Sequence, residues 1–211
     1  MFRSKRKRRP RLQISLRMLL AVVTVACLIF AYNQRYRQQH LTADQLAGYG
    51  AKVTYHRSLL PFLPAWASNQ LRDVESVDLS RCRVDTQRIE LLLRFPHLRR
   101  LYLARTNTRN EHLRIIAKLH ELERLALWHT PINERGIDSL AELKNLQVLD
   151  VHGVRLSEST LYTLSQLEHL QELKFDFRKF SDRGLERFVR MPSRHRMNLN
   201  SVRVDRKKNT G

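Results

Sequence analysis

The sequence predicts an α/β solenoid, with short parallel strands on a concave face, helices on the convex face, and one hydrophobic helix ahead of them. Three observations predict it. Val74, Leu98, Leu122, Leu146 and Leu170 recur every 24 residues. Each is followed three and five positions later by apolar residues: Val77 and Leu79, Leu101 and Leu103, Leu125 and Leu127, Leu149 and Val151, Leu173 and Phe175. Ahead of them an uncharged apolar run, Met18 to Tyr32, follows a dense basic head. A fixed period of this size signals a stack of like units, none of which can bury its own apolar face alone.

Residues 1–17 form the basic head, with Arg3, Lys5, Arg6, Lys7, Arg8, Arg9, Arg11 and Arg17. Residues 18–32 read as a transmembrane signal-anchor. That stretch of helix reaches about 22 Å at 1.5 Å per residue, against a bilayer core of about 30 Å. Extending it back to Leu12 gives about 31 Å, provided that Arg17 snorkels toward the headgroups. Tyr32 then falls at the far interface, where amphipathic rings are favoured. A cleaved secretory signal, a lipid-modified Cys27 and a buried core helix compete with this reading. Ile29 is a poor −3 residue for cleavage after Ala31, and Thr24 replaces the aliphatic residue usual before a lipidated cysteine. Basic residues are denser before the run than after it, where only Arg35 and Arg37 follow. The positive-inside rule therefore predicts a single-pass protein with a cytoplasmic N-terminus and extracytoplasmic repeats.

Net charge is +19 over 211 residues, of which residues 1–40 supply +10 and the remainder +9. An apolar content of 42% excludes global disorder. Cys27 and Cys82 lie in unlike contexts and no CxxC exists, so neither a disulfide nor a metal-binding spacing is indicated.

Residues 33–40 are polar and read as a linker or juxtamembrane segment. Residues 41–73 read as an N-terminal cap: a short helix from Leu41 ended by Gly48 and Gly50, then a strand at Lys52-Val-Thr-Tyr-His. Phe62, Leu63 and Trp66 are expected to plug the open end of the core, as terminal units of a stack must.

Residues 74–191 hold five 24-residue repeats. Alternation at the start of each predicts a strand. At the twelfth position Asp85, Asn133, Ser157 and Ser181 can cap a helix, whereas Arg109 cannot. The sixteenth, nineteenth and twenty-second positions are apolar, from Ile89, Leu92 and Phe95 to Leu185, Phe188 and Met191, which places them on one helical face. Residues 192–211 supply a sixth strand through Leu199, Val202 and Val204, then a basic tail.

These residues resemble the leucine-rich repeat family in its form LxxLxLxxTxIxDxGLxxLxxL. Leu122 to Leu143 is the nearest match, and the likeness covers residues 74–204. The head, with Ser15-Leu16-Arg17 and the apolar run, is similar to the anchors of membrane-tethered repeat proteins of planctomycete-type bacteria. Val154 and Arg178 at the ninth position depart from the pattern. So do Arg88, His112 and Thr160, where the family places glycine.

Strand residues beside the buried positions face outward. The third, fifth and seventh positions therefore gather Arg100, Tyr102, Arg124, Trp128, Asp150 and His152 as a candidate concave binding face. Tyr, Trp and Arg are enriched in binding hot spots. His152 facing Asp176 is more consistent with two solvated polar residues than with a metal or base site. No GxSxG, GxxxxGK or GxGxxG occurs, and His120-Glu-Leu-Glu-Arg has Arg124 where HExxH needs its second ligand. The expectation is a non-catalytic binding module with no catalytic, cofactor or metal residues. Its expected partners are a protein first, the membrane through residues 12–32, and anionic envelope polymers or lipid headgroups. A soluble nucleic-acid-associated protein is the alternative; pI near 11.0 permits it, but the apolar run is unneeded for it and recognised modules are missing.

Overall fold

The structure, a computed structural model, describes residues 16–56 and 73–176. The chain divides into two units, Met1–Arg37 and Gln38–Gly211. Helix α1 (Leu16–Gly48) is 33 residues long. Its apolar window has a mean hydropathy of 1.9 and no buried residue, so it is long and apolar enough to cross a membrane. Leu16, Met18, Leu20, Val22, Leu28 and Phe30 are all more than half exposed.

The linker and the short cap helix expected from sequence are one continuous helix instead. Asn33 to His40 contains neither glycine nor proline, and its Gln and Arg residues favour helix, so polarity alone does not interrupt it. The helix stops where the sequence places its stop. Gly50 takes φ +88°, and Ala51 N–H returns to Leu46 O at 3.1 Å.

Six strands form one sheet in chain order. β1 (Lys52–Tyr55) pairs antiparallel with β2 (Val74–Asp78). β3 (Arg100–Tyr102), β4 (Arg124–Ala126), β5 (Val148–Asp150) and β6 (Glu172–Lys174) then add in parallel. The sheet is thus mostly parallel rather than wholly so, because β1 stands outside the 24-residue pattern. Each parallel pair joins residues one period apart, as in Leu101↔Leu125 and Leu125↔Leu149.

Four helices follow strands β2 to β5: α2 (Thr86–Leu91), α3 (Asn110–Ile116), α4 (Glu134–Asp138) and α5 (Glu158–Ser165). Each is too short to persist alone in water and depends on the face it buries. That face is the one the spacing predicts, since Ile89, Leu92, Leu113, Ile116, Ile137, Leu140, Leu161 and Leu164 are all buried. They meet Val77, Leu101, Leu125, Leu149 and Leu173 from the strands in one core. Truncating any one of these leucines to alanine would cost about 2–5 kcal/mol.

Helix starts follow the twelfth position. Asp85 Oδ1 accepts from Arg88 N–H at 2.8 Å, Asn133 Oδ1 from Arg135 N–H at 3.1 Å, and Ser157 Oγ from Thr160 N–H at 3.3 Å. Arg109 has no acceptor to offer. The bond runs the other way: His112, three residues on, accepts Arg109 N–H at Nδ1, 3.1 Å away.

The residues standing in place of a family-type glycine therefore have positions of their own. Arg88 lies 4.0 Å above the Tyr49 ring, His112 closes its helix end, and Thr160 Oγ1 meets Ser157 Oγ at 3.0 Å. Among the described residues only Gly136 lacks a side chain there, and the Asn110 amide fills that space. Phe62, Leu63, Trp66, Arg178, Ser181, Leu185, Phe188, Met191 and the sixth strand at Leu199, Val202 and Val204 lie outside the described residues.

Candidate binding face

The strands set the geometry of the candidate face. Parallel pairing aligns Ser76, Arg100, Arg124, Val148 and Glu172 in one row, and Asp78, Tyr102, Ala126, Asp150 and Lys174 in the next. Arg100 and Arg124 are thus neighbours on adjacent strands, about 4.8 Å apart along the backbone. Tyr102 and Asp150 are not; the small Ala126 stands between them.

The arginine pair would repel if left alone. Glu75 offsets this, with Oε2 at 3.0 Å from Arg100 Nη2. Arg99 pairs likewise with Glu123 at 3.2 Å. Such partly exposed pairs contribute under about 1 kcal/mol each, so their main effect is to fix side-chain direction. Arg100 Nε is buried with no hydrogen-bond partner, whereas Arg124 is exposed and makes no ion pair among the described residues. Of the two, Arg124 is the cation available to a ligand.

Asp150 serves its own turn. Its Oδ1 accepts from His152 N–H at 3.1 Å, as Asp78 Oδ1 accepts from Ser80 N–H at 2.8 Å. The His152 side chain is exposed, and its backbone carbonyl accepts from His129 N–H at 3.2 Å.

Trp128 lies two residues past β4 and is half-buried. The Arg105 guanidinium sits 4.9 Å from the centre of its ring, and His129 meets it edge-on at 5.4 Å. Arg105 and His129 are contacts that alternation along the strand does not reveal, because both lie past its end. Their signal is the eighth position of the period, occupied by Arg81, Arg105, His129 and Gly153. The structure therefore resolves the six residues into a strand-face pair, Arg100 and Arg124, flanked by Tyr102, and a Trp128 corner beside His152.

The +9 of residues 41–211 is unevenly placed. Residues 41–176 hold 18 Lys/Arg against 17 Asp/Glu, a net +1. Residues 177–211 hold 11 against 3, so they carry +8 of the +9. No group of three or more His, Cys, Asp or Glu among the described residues could hold a metal ion. The chain matches no family model, and a search of curated proteins gives no match.

Proposed function

We propose that the chain is a membrane-anchored, non-catalytic binding module whose stacked units form a leucine-rich-repeat solenoid. Residues 12–32 hold it in the bilayer with the N-terminus cytoplasmic, and the repeats recognise a protein partner on the extracytoplasmic side. The observation that carries this reading is the register. Residues 24 positions apart stand side by side on neighbouring strands, so scattered polar residues become one preformed surface. A rigid surface of this kind binds with little ordering cost. The exposed apolar residues of α1 support the anchor, since a bilayer is the environment that would cover them.

On this face Tyr102, Arg124 and Trp128 are the recognition residues, while Arg100 and Asp150 position their neighbours. The decisive experiment fuses a topology reporter after Gly211, with and without residues 1–32, and recovers cross-linked partners from intact cells. An extracytoplasmic reporter and a partner lost in Trp128→Ala and Tyr102→Ala support the reading. A cytoplasmic reporter from the full-length fusion overturns the location, and unchanged recovery from both variants overturns the face.

A further inference from the structure

The strand face differs in charge from the chain that carries it. On the second, third, fifth and seventh positions of the units, Glu75 pairs with Arg100, Glu123 with Arg99 and Glu172 with Lys174, at 3.0, 3.2 and 3.3 Å. Beyond these three pairs the same positions of β2 to β6 hold one cation, Arg124, and three carboxylates, Asp78, Asp150 and Asp176. With histidine neutral the face therefore carries −2, although the whole chain carries +19. Its one cation outside the three pairs is Arg124, which is exposed.

The neighbours of Arg124 are largely uncharged. Val148 stands beside it on β5, Ala126 is the next residue on the same side of β4, and Tyr102 lies across from Ala126 on β3. Trp128 follows along β4, and Arg124, Ala126 and Trp128 alternate with the buried Leu125 and Leu127. On the remaining side Arg100 is already held by Glu75. A partner that covers Tyr102, Ala126, Val148 and Trp128 takes water away from the Arg124 guanidinium. A charge buried without a counter-charge is strongly unfavourable, so apolar contact here has to bring an anion with it. Removing the water also strengthens the resulting pair, because its attraction grows as the local dielectric falls.

We propose that the partner presents a single carboxylate, from an aspartate or glutamate set beside an apolar residue, with the carboxylate on Arg124 and the apolar side chain over Ala126 beside Tyr102 and Trp128. This rests on the strand face being the recognition surface and names the chemistry that the face selects. The guanidinium offers a carboxylate two parallel N–H donors, which fixes the angle of approach as well as the charge. Ala126 is the small residue of its row, so it leaves room for the apolar neighbour. A run of acidic residues or another polyanion is disfavoured, because beyond Arg124 it meets Asp78 and Asp150, and like charges set against each other oppose binding.

The test uses the full-length protein in detergent micelles as bait for a phage-displayed library of randomised loops on a folded scaffold. Excess free oligo-glutamate occupies the basic termini during selection. Wild type, Arg124→Lys and Arg124→Gln are compared, with Arg114→Gln, an exposed position on α3, as the control. Wild type, Arg124→Lys and the control are expected to enrich loops with one Asp or Glu beside an apolar residue, and Arg124→Gln to lose the acidic preference. A loop selected on wild type should bind Arg124→Gln about tenfold more weakly, and the control with nearly unchanged affinity. Loops without an acidic preference, loops with runs of acids, or a preference that survives Arg124→Gln overturn the proposal. If such loops still lose binding to Tyr102→Ala and Trp128→Ala, the face stands without it. No capture, or capture indifferent to Arg124, Tyr102 and Trp128 alike, overturns the face as well.

Discussion

The side-chain amides of Asn110 and Asn133 hold each other across adjacent units. Asn110 Nδ2 donates to Asn133 Oδ1 at 2.8 Å, while Asn110 Oδ1 accepts Asn133 N–H at 3.0 Å. Gly136 leaves the room for this. A Cβ added there would lie 2.5 Å from Asn110 Oδ1 and 3.0 Å from Leu113 Cδ1. Gly136→Ala should therefore destabilise the fold by about 2 kcal/mol, although alanine is the better helix former. Urea unfolding of Gly136→Ala, Asn110→Ala and the double variant checks the cause. The alanine should cost far less once Asn110 is gone, and a full, additive cost would contradict it.

Arg81 and Gly153 share the eighth position of their units with φ of 65° and 81°, and this left-handed place gives a paired expectation. Arg81→Gly should raise stability by about 1 kcal/mol by relieving the steric cost of its Cβ. Gly153→Ala should lower it by a similar or larger amount, because its Cβ would also meet His129 Nδ1 at 3.0 Å. Melting temperatures of the two variants should therefore move in opposite directions from wild type.

His112 makes stability depend on pH. Burial lowers its pKa from the ordinary 6.5, partly countered by the charge of Glu111, and its Nδ1 must stay unprotonated to accept Arg109 N–H. The unfolded chain binds this proton more readily than the folded chain does. The stabilisation is then present in full above about pH 6.5 and is lost as pH falls through that value toward the folded pKa. Urea midpoints at pH 7.5 and 5.5 should fall less in His112→Thr, which carries the residue that Thr160 supplies in the equivalent place, than in wild type. An identical fall would rule His112 out as the source.

Cys82 occupies a place that threonine fills in the next two units. Thr106 Oγ1 donates to Leu103 O at 2.7 Å and Thr130 Oγ1 to Leu127 O at 2.6 Å, whereas Cys82 Sγ makes only a 3.8 Å contact with Ser80 O. Cys82→Thr should add the missing bond to Leu79 O and stabilise by about 1 kcal/mol. Chemical denaturation measures the gain, and a loss of stability would mean that the thiol's packing against the core is worth more.

The strand rows and the buried helix faces were legible from spacing, because Leu125 or Ile137 must be buried wherever the period repeats. Helix starts at Asp85, Asn133 and Ser157 were legible for the same reason, through chemistry that acts within three residues. What spacing could not supply is chemistry between units. His112 caps a helix from the third helical position, and Asn110 needs Gly136 in a neighbour; neither follows a local period. That the helix runs on through residues 33–40 was not legible from their polarity, although Asn33 to His40 holds no residue that ends a helix. In the candidate face, the row of Arg100 and Arg124 could be read from alignment. The Glu75 pair and the Arg105–Trp128 stack depend on side-chain directions that alignment leaves open.

The asparagine contacts described between units are unevenly shared. Asn107 brackets the Val84 backbone, accepting its N–H at 2.8 Å and donating to its carbonyl at 2.9 Å. Asn110 bridges to Asn133, and Asn145 Nδ2 reaches His120 O at 3.0 Å. All of these join the first three repeats, and among the described residues none joins the third to the fourth. In a stack whose stability is a sum of nearest-neighbour interfaces, such an imbalance sets a direction for unzipping. Amide protons of β5 and α5 should exchange with deuterium through partial openings, while those of β2 to β4 wait for the whole molecule to unfold.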